Sequence, residues 1–280
     1  MPFEFTTTQK RRLTELNASR EDAAQVFADE KERNAVYREL EKKLMRINRQ
    51  NLNTLLKDRH IGLSQQIADD LSRWLTTEEG FTRVSTPIMI SSQQLDKMTI
   101  TGDHALRQQV FWVDHKHCLR PMLAPNLYVV MRDLHRVTNE PVRIFEIGSC
   151  FRKESQGAKH LNEFTMLNLV ELAAGEDGYQ LQRLEELARS AMRAVGIENY
   201  ELVTEESTVY HQTLDIEVDG MEVASGSYGP HDLDAAWGVF DTWVGIGIGI
   251  ERLAQAKGGY ETIKHVSKSI TYLDGVPLKL

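Results

Sequence analysis

The sequence GIGIGIERL, at residues 245–253, alternates glycine with isoleucine and then runs into a charged segment. Period-two alternation places the isoleucines on one face of a strand and the glycines on the other. Because glycine weakens a strand unless something must approach its backbone closely, this face indicates a binding surface, with a nucleotide as the expected ligand. The alternative is a glycine strand that only packs against a helix. Arg252 then falls in the first turn of a following helix, where backbone amides favour phosphate.

Four more segments upstream read as paired strands. VRIFEIGSCF (142–151) and EFTMLNLVEL (163–172) are apolar runs joined by a polar loop, which predicts an antiparallel hairpin. LDIEV and MEVAS flank the dipeptide Asp219-Gly220, the signature of a two-residue hairpin turn. Neighbouring strands with helices between them predict an α+β fold in which a mostly antiparallel sheet is flanked by helices.

Three helices and two further strands complete the predicted α+β region. Ser64 is the expected N-cap of a helix that ends before Gly80, and Pro125 opens a second helix that runs to about Arg136. The predicted strands are FTRVSTPIMI (81–90) and QVFWV (109–113). Apolar residues at helical spacing mark the first of these helices at Ile67, Leu71, Trp74 and Leu75. The third helix follows the first hairpin, and the same spacing marks it at Leu181, Leu184, Leu187, Ala188 and Met192.

The first 60 residues differ in character from the rest. They contain 13 Lys and Arg against 10 Asp and Glu, whereas the remainder contains 20 against 31. Helical spacing of Tyr37, Leu40, Leu44 and Ile47 predicts one or two amphipathic helices, and the polar segment Lys57–Gly62 predicts a boundary. We therefore expect an N-terminal helical region at 1–60 and a catalytic domain at 61–280. The basic region favours contact with a phosphate backbone, although a solvated helix surface explains it equally well.

The composition excludes several classes of protein. No apolar run approaches the length of a membrane span, and the N-terminus lacks the apolar core of a secretory signal, so we expect a cytoplasmic protein. Cys118 and Cys150 are the two cysteines, too few for a disulfide framework or a zinc site. We expect both to be free thiols.

Three separated segments occur in an informative order: the helix from Ser64 with the strand ending at Pro87, the pair FRKE (151–154) and FTMLN (164–168), and GIGIGIERL. In that order they resemble the three motifs of class II aminoacyl-tRNA synthetases. The resemblance implies ATP-dependent activation of an amino acid, its esterification to a tRNA, and a homodimer formed through the Pro87 segment. HIGL (60–63) and HVSKS (265–269) only superficially match class I motifs, because no series of parallel strands and helices surrounds them.

The resemblance assigns roles in ATP binding that the chemistry supports. Arg152 bridges the amino-acid carboxylate and the α-phosphate, where a guanidinium lowers the repulsion between two anions. Glu154 accepts the adenine amino group, and Phe164 offers a face to the purine. His160 approaches the outer phosphates. Arg252 stacks on adenine or contacts the γ-phosphate, beside the glycine strand that ends at Gly249.

The resemblance also implies a Mg²⁺ site. Glu222 and Ser225 lie where the family places a metal-binding acid and its companion. Hard oxygen ligands suit Mg²⁺ that bridges ATP phosphates and keeps several waters. An exposed strand carboxylate is the alternative for Glu222.

Within the class, LRPMLAPNLY (119–128) and the motifs above resemble the members that activate pyrrolysine, over roughly residues 80–255. By period two, Asn168 shares a strand face with Phe164 and is the single amide there, so it is expected to bind a carbonyl of the substrate side chain. The resemblance also assigns nine further residues to the amino-acid pocket: Ala124, Leu127, Tyr128, Met131, Val170, Tyr210, Ser225, Trp243 and Gly245. Because the apolar pocket residues carry no charge, a charged amino acid is disfavoured.

Some features depart from the longer pyrrolysine-activating members. Met131 and Val170 differ in size from the residues expected there, and Ser227 stands where they carry an apolar residue. The first 60 residues do not resemble their separate tRNA-binding domain, which implies a short form. Recognition of tRNA then falls to a partner or to this chain, through Lys10, Arg11, Arg12, Lys42, Lys43 and Arg46. Two alternatives remain: a class II synthetase for phenylalanine, and a non-catalytic paralogue that binds tRNA.

Overall fold

The computed structural model describes residues 3–154, 161–175, 177–207 and 209–280. The chain forms two compact units, Met1–Gly62 with Lys264–Leu280, and Leu63–Ile263. This grouping differs from the predicted 1–60 and 61–280, because the C-terminal segment packs with the first unit. In the described part of the chain, every helix is too short or too polar to cross a lipid bilayer.

The first unit is a small helical body. Thr6 caps its first helix by accepting from the backbone amide of Gln9 at 3.2 Å, and Asp29 caps its longest helix by accepting from the backbone amide of Glu32 at 2.8 Å. Its elements are β1 (Phe3–Glu4), α1 (Thr7–Glu15), α2 (Arg20–Ala23), β2 (Val26–Phe27), α3 (Glu30–Lys57) and a C-terminal hairpin of Tyr272–Leu273 and Val276–Pro277. Its core includes Leu40 and Leu44, and Tyr37 packs against them as predicted, whereas the fourth predicted position, Ile47, is 36% exposed.

The second unit contains the remaining elements. Its helices are α4 (Leu63–Thr77), α5 (Ser92–Lys97), α6 (Ala105–Gln108), α7 (Ala124–Thr138), α8 (Gln180–Ala194), α9 (Asp234–Trp237) and α10 (Ile250–Gly258). A 3-10 turn, Ile263–His265, follows α10 along the chain, where the second unit ends. Its strands are β3 (Thr82–Arg83), β4 (Met89–Ser91), β5 (His117–Leu119), β6 (Val142–Phe151), β7 (Glu163–Leu172), β8 (Glu201–Ser207), β9 (His211–Val218), β10 (Met221–Gly229) and β11 (Trp243–Gly249).

A seven-stranded sheet forms the body of this unit. Its strand order is β3-β6-β7-β11-β10-β9-β8. All neighbours are antiparallel except the short β3, which runs parallel to β6. The predicted α+β class and antiparallel sheet are confirmed. The predicted apolar positions of α4 and most of those of α8 are buried, whereas Leu181 is 45% exposed. Both cysteines are free and buried, as predicted.

Three local predictions were wrong. FTRVSTPIMI is not one strand: β3 joins the large sheet, whereas β4 pairs with β5, because Pro87 between them has no amide to donate. QVFWV is not a strand either, and Trp112 makes one isolated bridge to Cys118. Ser64 lies inside α4 rather than at its cap, since the helix begins at Leu63.

The β9–β10 hairpin contains a bulge that matters for the site. Asp219 and Gly220 have φ values of 50° and 69°, as a primed two-residue turn requires. Glu222 pairs with Glu217, but the register then shifts, and Ser225 pairs with Asp215. In a regular strand, residues three apart point to opposite faces. The extra residue of the bulge lets Glu222 and Ser225 share one face.

A buried ion pair braces the loop that follows β3. Arg120 Nη1 lies 2.8 Å from Glu146 Oε1, and both side chains are almost fully buried. Thr86 Oγ1 donates to Glu146 Oε2 at 2.6 Å, and Arg120 Nε donates to the Ser149 carbonyl at 2.8 Å. These added bonds offset the cost of burying two charges. The network fixes the chain on either side of Arg120, including the neighbouring Pro121.

Candidate active site

A cavity of about 270 Å³ opens on one face of the large sheet. Residues of α7, β7, β10, β11 and α10 line it. The structure brings together every predicted site residue that it describes: Ala124, Leu127, Tyr128, Met131, Arg152, Glu154, Phe164, Asn168, Val170, Tyr210, Glu222, Ser225, Trp243, Gly245, Gly249 and Arg252. His160, predicted to approach the phosphates, lies outside the described residues.

Helix α7 supplies one apolar wall. Pro125 occupies its first turn, where a missing amide costs nothing. Ala124, Leu127, Tyr128 and Met131 follow helical spacing and therefore lie on one face of the helix, which faces the cavity. Three of the four are almost fully buried.

The glycine face of β11 forms the floor. Gly245, Gly247 and Gly249 line the cavity, while the intervening isoleucines are buried on the other side. A Cβ at Gly247 would come within 3.2 Å of the Asn168 side chain, and one at Gly245 within 3.2 Å of a β7 carbonyl. The predicted alternation is confirmed. Larger residues at these positions would crowd the Asn168 side chain and the backbone of β7.

Asn168 lines the cavity from β7. Its strand position pairs with Gly247, which pairs in turn with Ser225 on the next strand. The Asn168 Oδ1 atom is buried and has no hydrogen-bond partner among the described residues. Leaving such an acceptor unpaired costs about 1–3 kcal/mol. A ligand that supplies a donor at this point recovers that free energy.

Arg152 leaves β6 and turns into the cavity. Its Nε donates to the Pro121 carbonyl at 2.8 Å, and its guanidinium lies 5.2 Å from the centre of the Phe164 ring. Burial lowers the pKa of the guanidinium, but an arginine starts from so high a value that it keeps its charge. One face of Phe164 is thus covered by Arg152.

The second arginine is held by an acid. Arg252 Nη1 lies 3.5 Å from Glu222 Oε1 and donates to the Glu222 carbonyl at 3.2 Å. Glu154 is held through its amide, which donates to Asn162 Oδ1 at 3.2 Å. The two guanidinium groups create a positive electrostatic potential in the cleft, which suits binding of a polyphosphate.

Glu222 and Ser225 present oxygen atoms to the same end of the cavity. Burial raises the pKa of Glu222, Arg252 opposes the shift, and Asp215 adds to it. Ser225 Oγ donates to Asp215 Oδ1 at 2.6 Å, which leaves the lone pairs of the hydroxyl available. Within the described ranges, no cluster of three His, Cys, Asp or Glu side chains is arranged to hold a metal alone. This donor set fits Mg²⁺ that takes its other ligands from phosphate and water.

Sequence reasoning missed three acids around the site. Asp215 orients Ser225, Glu251 accepts from the Thr165 amide at 2.8 Å, and Asp234 lies behind the wall that Tyr128 helps to form. An acid in the first turn of α10 was a signal for Glu251. No pattern in the sequence pointed to the other two.

The chain matches the family "tRNA synthetases class II core domain (F)" over residues 47–274. Among curated proteins, the threonine–tRNA ligase of Clostridium perfringens is 30% identical over 119 residues, 36% of this chain and 18% of that protein. The O-phosphoserine–tRNA(Cys) ligase of Methanococcus vannielii is 24% identical over 166 residues, 55% of this chain. The chain thus spans under a third of the length of these relatives.

Solved structures resemble the whole chain. The crystal structure of pyrrolysyl-tRNA synthetase from Desulfitobacterium hafniense matches with a TM-score of 0.89 and 46% identity, covering 99% of both chains. A second structure of a pyrrolysyl-tRNA synthetase from that organism gives 0.87 and 45%, covering 99% of this chain and 96% of the other. The chain belongs to the class II aminoacyl-tRNA synthetases, and within them to the pyrrolysyl-tRNA synthetase family.

Proposed function

We propose that this protein activates pyrrolysine with ATP and transfers it to its cognate tRNA. The observation that carries the proposal is the buried, unpartnered Asn168 oxygen in an apolar cavity. Pyrrolysine has a long, neutral side chain with an amide within it. That amide offers an N–H to the Asn168 oxygen or, with the Asn168 side chain turned over, a carbonyl to its amide group. A trans amide points these two groups in opposite directions, so Asn168 binds one of them.

The apolar end of the cavity selects against charged amino acids. Leu127, Met131, Val170 and Trp243 bound it, and a charged side chain among them would be buried without a partner. Phenylalanine fits the apolar surface but leaves the Asn168 oxygen unpaired. The amide therefore favours pyrrolysine over the phenylalanine alternative.

The charged end performs the activation. Arg152 orients the amino-acid carboxylate against the α-phosphate and offsets the charge that develops there. Glu154 receives the adenine amino group, Phe164 packs against the purine on the face that Arg152 leaves open, and Arg252 holds the outer phosphates. His160 remains a proposed phosphate contact. No covalent enzyme intermediate is formed, since positioning and electrostatics supply the catalysis.

Glu222 and Ser225 are the proposed Mg²⁺ ligands, with Asp215 orienting the Ser225 hydroxyl. When bound, the ion neutralises charge on the departing pyrophosphate. Glu222→Gln keeps the shape and removes the negative oxygen, so we expect the Mg²⁺ concentration for half-maximal exchange to rise at least about tenfold. Titration of Mg²⁺ in the exchange assay measures this. The proposed ligand role fails if Glu222→Gln and wild type need the same Mg²⁺.

Amino-acid-dependent exchange of pyrophosphate into ATP tests the proposed activity. With a panel of amino acids, we expect exchange with pyrrolysine and background with phenylalanine, lysine and the other standard amino acids. Exchange with phenylalanine alone would reassign the substrate. Absence of exchange with any amino acid would favour the non-catalytic tRNA-binding paralogue.

We also propose that the first unit contacts tRNA. The six predicted basic residues differ in their surroundings: Lys10, Arg11 and Arg12 form ion pairs with Glu4, Glu15 and Glu41 at 2.7, 3.1 and 3.1 Å. Lys42, Lys43 and Arg46 instead lie exposed on α3, within about one turn of each other. We assign the phosphate contact to this exposed trio.

Reversing the charge of the trio should weaken tRNA binding without affecting activation. For Lys42→Glu/Lys43→Glu/Arg46→Glu, we expect the KM for tRNA to rise at least about tenfold in moderate salt, because each lost phosphate contact weakens binding. Pyrophosphate exchange should stay at the wild-type rate. A matched triple reversal of Lys31, Arg38 and Lys57, which are exposed on the same helix, controls for net charge. Equal losses in both variants would exclude a specific role for the trio.

A homodimer is proposed through the segment around Pro87. Ile88 and Met89 there are 46% and 52% exposed, and apolar side chains at such exposure suit an interface. Sedimentation equilibrium should show a dimer for the wild type and a monomer for Met89→Asp. A monomeric wild type at micromolar concentration would contradict this proposal.

A further inference from the structure

Asp234 is a buried acid that the activation chemistry does not use. It begins α9 and is 1% exposed. Its Oδ1 accepts from the Tyr128 hydroxyl at 2.7 Å. Its Oδ2 accepts from Trp243 Nε1 at 2.7 Å and from the His231 amide at 2.6 Å. A buried carboxylate needs several donors to offset its desolvation, and here three converge on it.

Two of these donors belong to side chains that bound the amino-acid end of the cavity. Tyr128 comes from α7 and Trp243 from β11, and Asp234 itself is not among the residues that line the cavity. One carboxylate therefore joins two walls of the pocket from behind. It fixes the position of the Tyr128 hydroxyl and the orientation of the Trp243 indole, because each ring has a single polar atom and that atom is bonded to Asp234.

The surrounding rings depend on this arrangement. Trp243 meets Tyr128 edge to face at 6.0 Å and Tyr210 at 5.8 Å. Trp237, three residues after Asp234, stacks on Tyr128 at 5.2 Å. The short turn of α9 thus orients Tyr128 by a hydrogen bond and by a ring contact together, and Tyr210 is positioned through Trp243.

We propose that Asp234 is a positioning residue for amino-acid selection: it holds Tyr128 and Trp243 in the orientation that admits the substrate side chain. This inference rests on the proposed function. It adds a specificity determinant outside the cavity to the residues that line it, and it concerns binding of the amino acid rather than of ATP.

The chemistry of the three contacts indicates which substitution is informative. All three partners donate to the carboxylate, although the Tyr128 hydroxyl can also accept. Asparagine has the same shape and offers one acceptor and one donor. Its oxygen can accept from Trp243 and His231 while its amide group donates to the Tyr128 hydroxyl, so Asp234→Asn keeps the contacts and removes the negative charge that strengthens them.

The test compares Asp234→Asn with wild type in pyrophosphate exchange. We expect the KM for pyrrolysine to rise about tenfold, since charge-assisted hydrogen bonds are roughly twice as strong as neutral ones, while the KM for ATP stays within about twofold. Asp232→Asn is the matched control, because Asp232 is exposed two residues away. Parallel increases in both KM values, or no change in the pyrrolysine KM, would overturn the positioning role.

A second measurement on the wild type guards against a variant that fails to fold. The indole N–H resonance of Trp243, identified by its loss in Trp243→Phe, should exchange slowly with solvent. Trp112 is 38% exposed and serves as the fast-exchanging reference. Equal rates of hydrogen exchange for Trp243 and Trp112 would contradict the hydrogen bond to Asp234. Wild-type protein without pyrrolysine-dependent pyrophosphate exchange would instead refute the proposed function, so the two failures are distinguishable.

Discussion

Arg152→Lys is expected to lower the rate of pyrrolysine-dependent pyrophosphate exchange by about 10²- to 10³-fold, the usual loss when one stabilising donor is removed from a developing charge. Lysine keeps the positive charge but not the planar fork that contacts carboxylate and phosphate together. It also cannot reproduce both the 2.8 Å bond to the Pro121 carbonyl and the packing on Phe164. The loss should appear mainly in kcat, because the bridged geometry is reached in the transition state.

The matched control is Arg73→Lys. Arg73 lies on α4 in the same unit, is 68% exposed and pairs only with Asp70 among the contacts described. We expect exchange within about twofold of wild type, as is usual for exposed pairs. If Arg152→Lys retained near-wild-type kcat, the bridging role of Arg152 would have to be abandoned.

Asn168→Leu is expected to lower activation of pyrrolysine strongly and to stabilise the protein in the absence of substrate. The substrate amide would lose its partner in a buried site, which we expect to reduce kcat/KM by about 10²-fold or more. The variant also removes an amide oxygen that is buried without a partner. Its Tm should therefore rise while its activity falls.

Two comparisons make this prediction specific. Asn53→Leu on the exposed face of α3 controls for the substitution itself and should change neither quantity. The KM for ATP in Asn168→Leu should stay near the wild-type value, since Asn168 lies on the amino-acid side. A fall in Tm together with loss of activity would show that Asn168 serves the fold rather than the substrate.

Periodicity predicted much of the site because the relevant strands are regular. β6 and β7 pair over their whole length without a register shift. Counting by two therefore places Asn168 and Val170 on the cavity face, as it places the glycines of β11. In α7, spacings of three and four place Leu127 and Met131 on one wall in the same way.

The remaining features depend on irregular backbone, which residue spacing does not encode. In an unbulged hairpin, Asp215 would face Ala224, but the shift after Glu222 brings it opposite Ser225. Asp234 lies behind the pocket wall, at the start of a single helical turn that follows a loop. The path of this segment depends on tertiary packing. Pro87 separates two strands that the apolar pattern reads as one.

The domain boundary shows a similar limit. Helix α3 ends at Lys57 and α4 begins at Leu63, on either side of the polar segment that we read as a boundary. The return of the C-terminal segment to the first unit is a long-range contact. Nothing in the composition of that segment distinguishes it from the catalytic region that precedes it.

The most direct test of the central claim is the identity of the amino acid that the protein attaches to tRNA. Purified protein, ATP, Mg²⁺ and pyrrolysine's tRNA are incubated with an equimolar mixture of pyrrolysine and the standard amino acids. The esterified amino acid is then released and identified by mass. We expect pyrrolysine on the tRNA and none of the competitors above background. Phenylalanine or another standard amino acid on the tRNA would contradict the account.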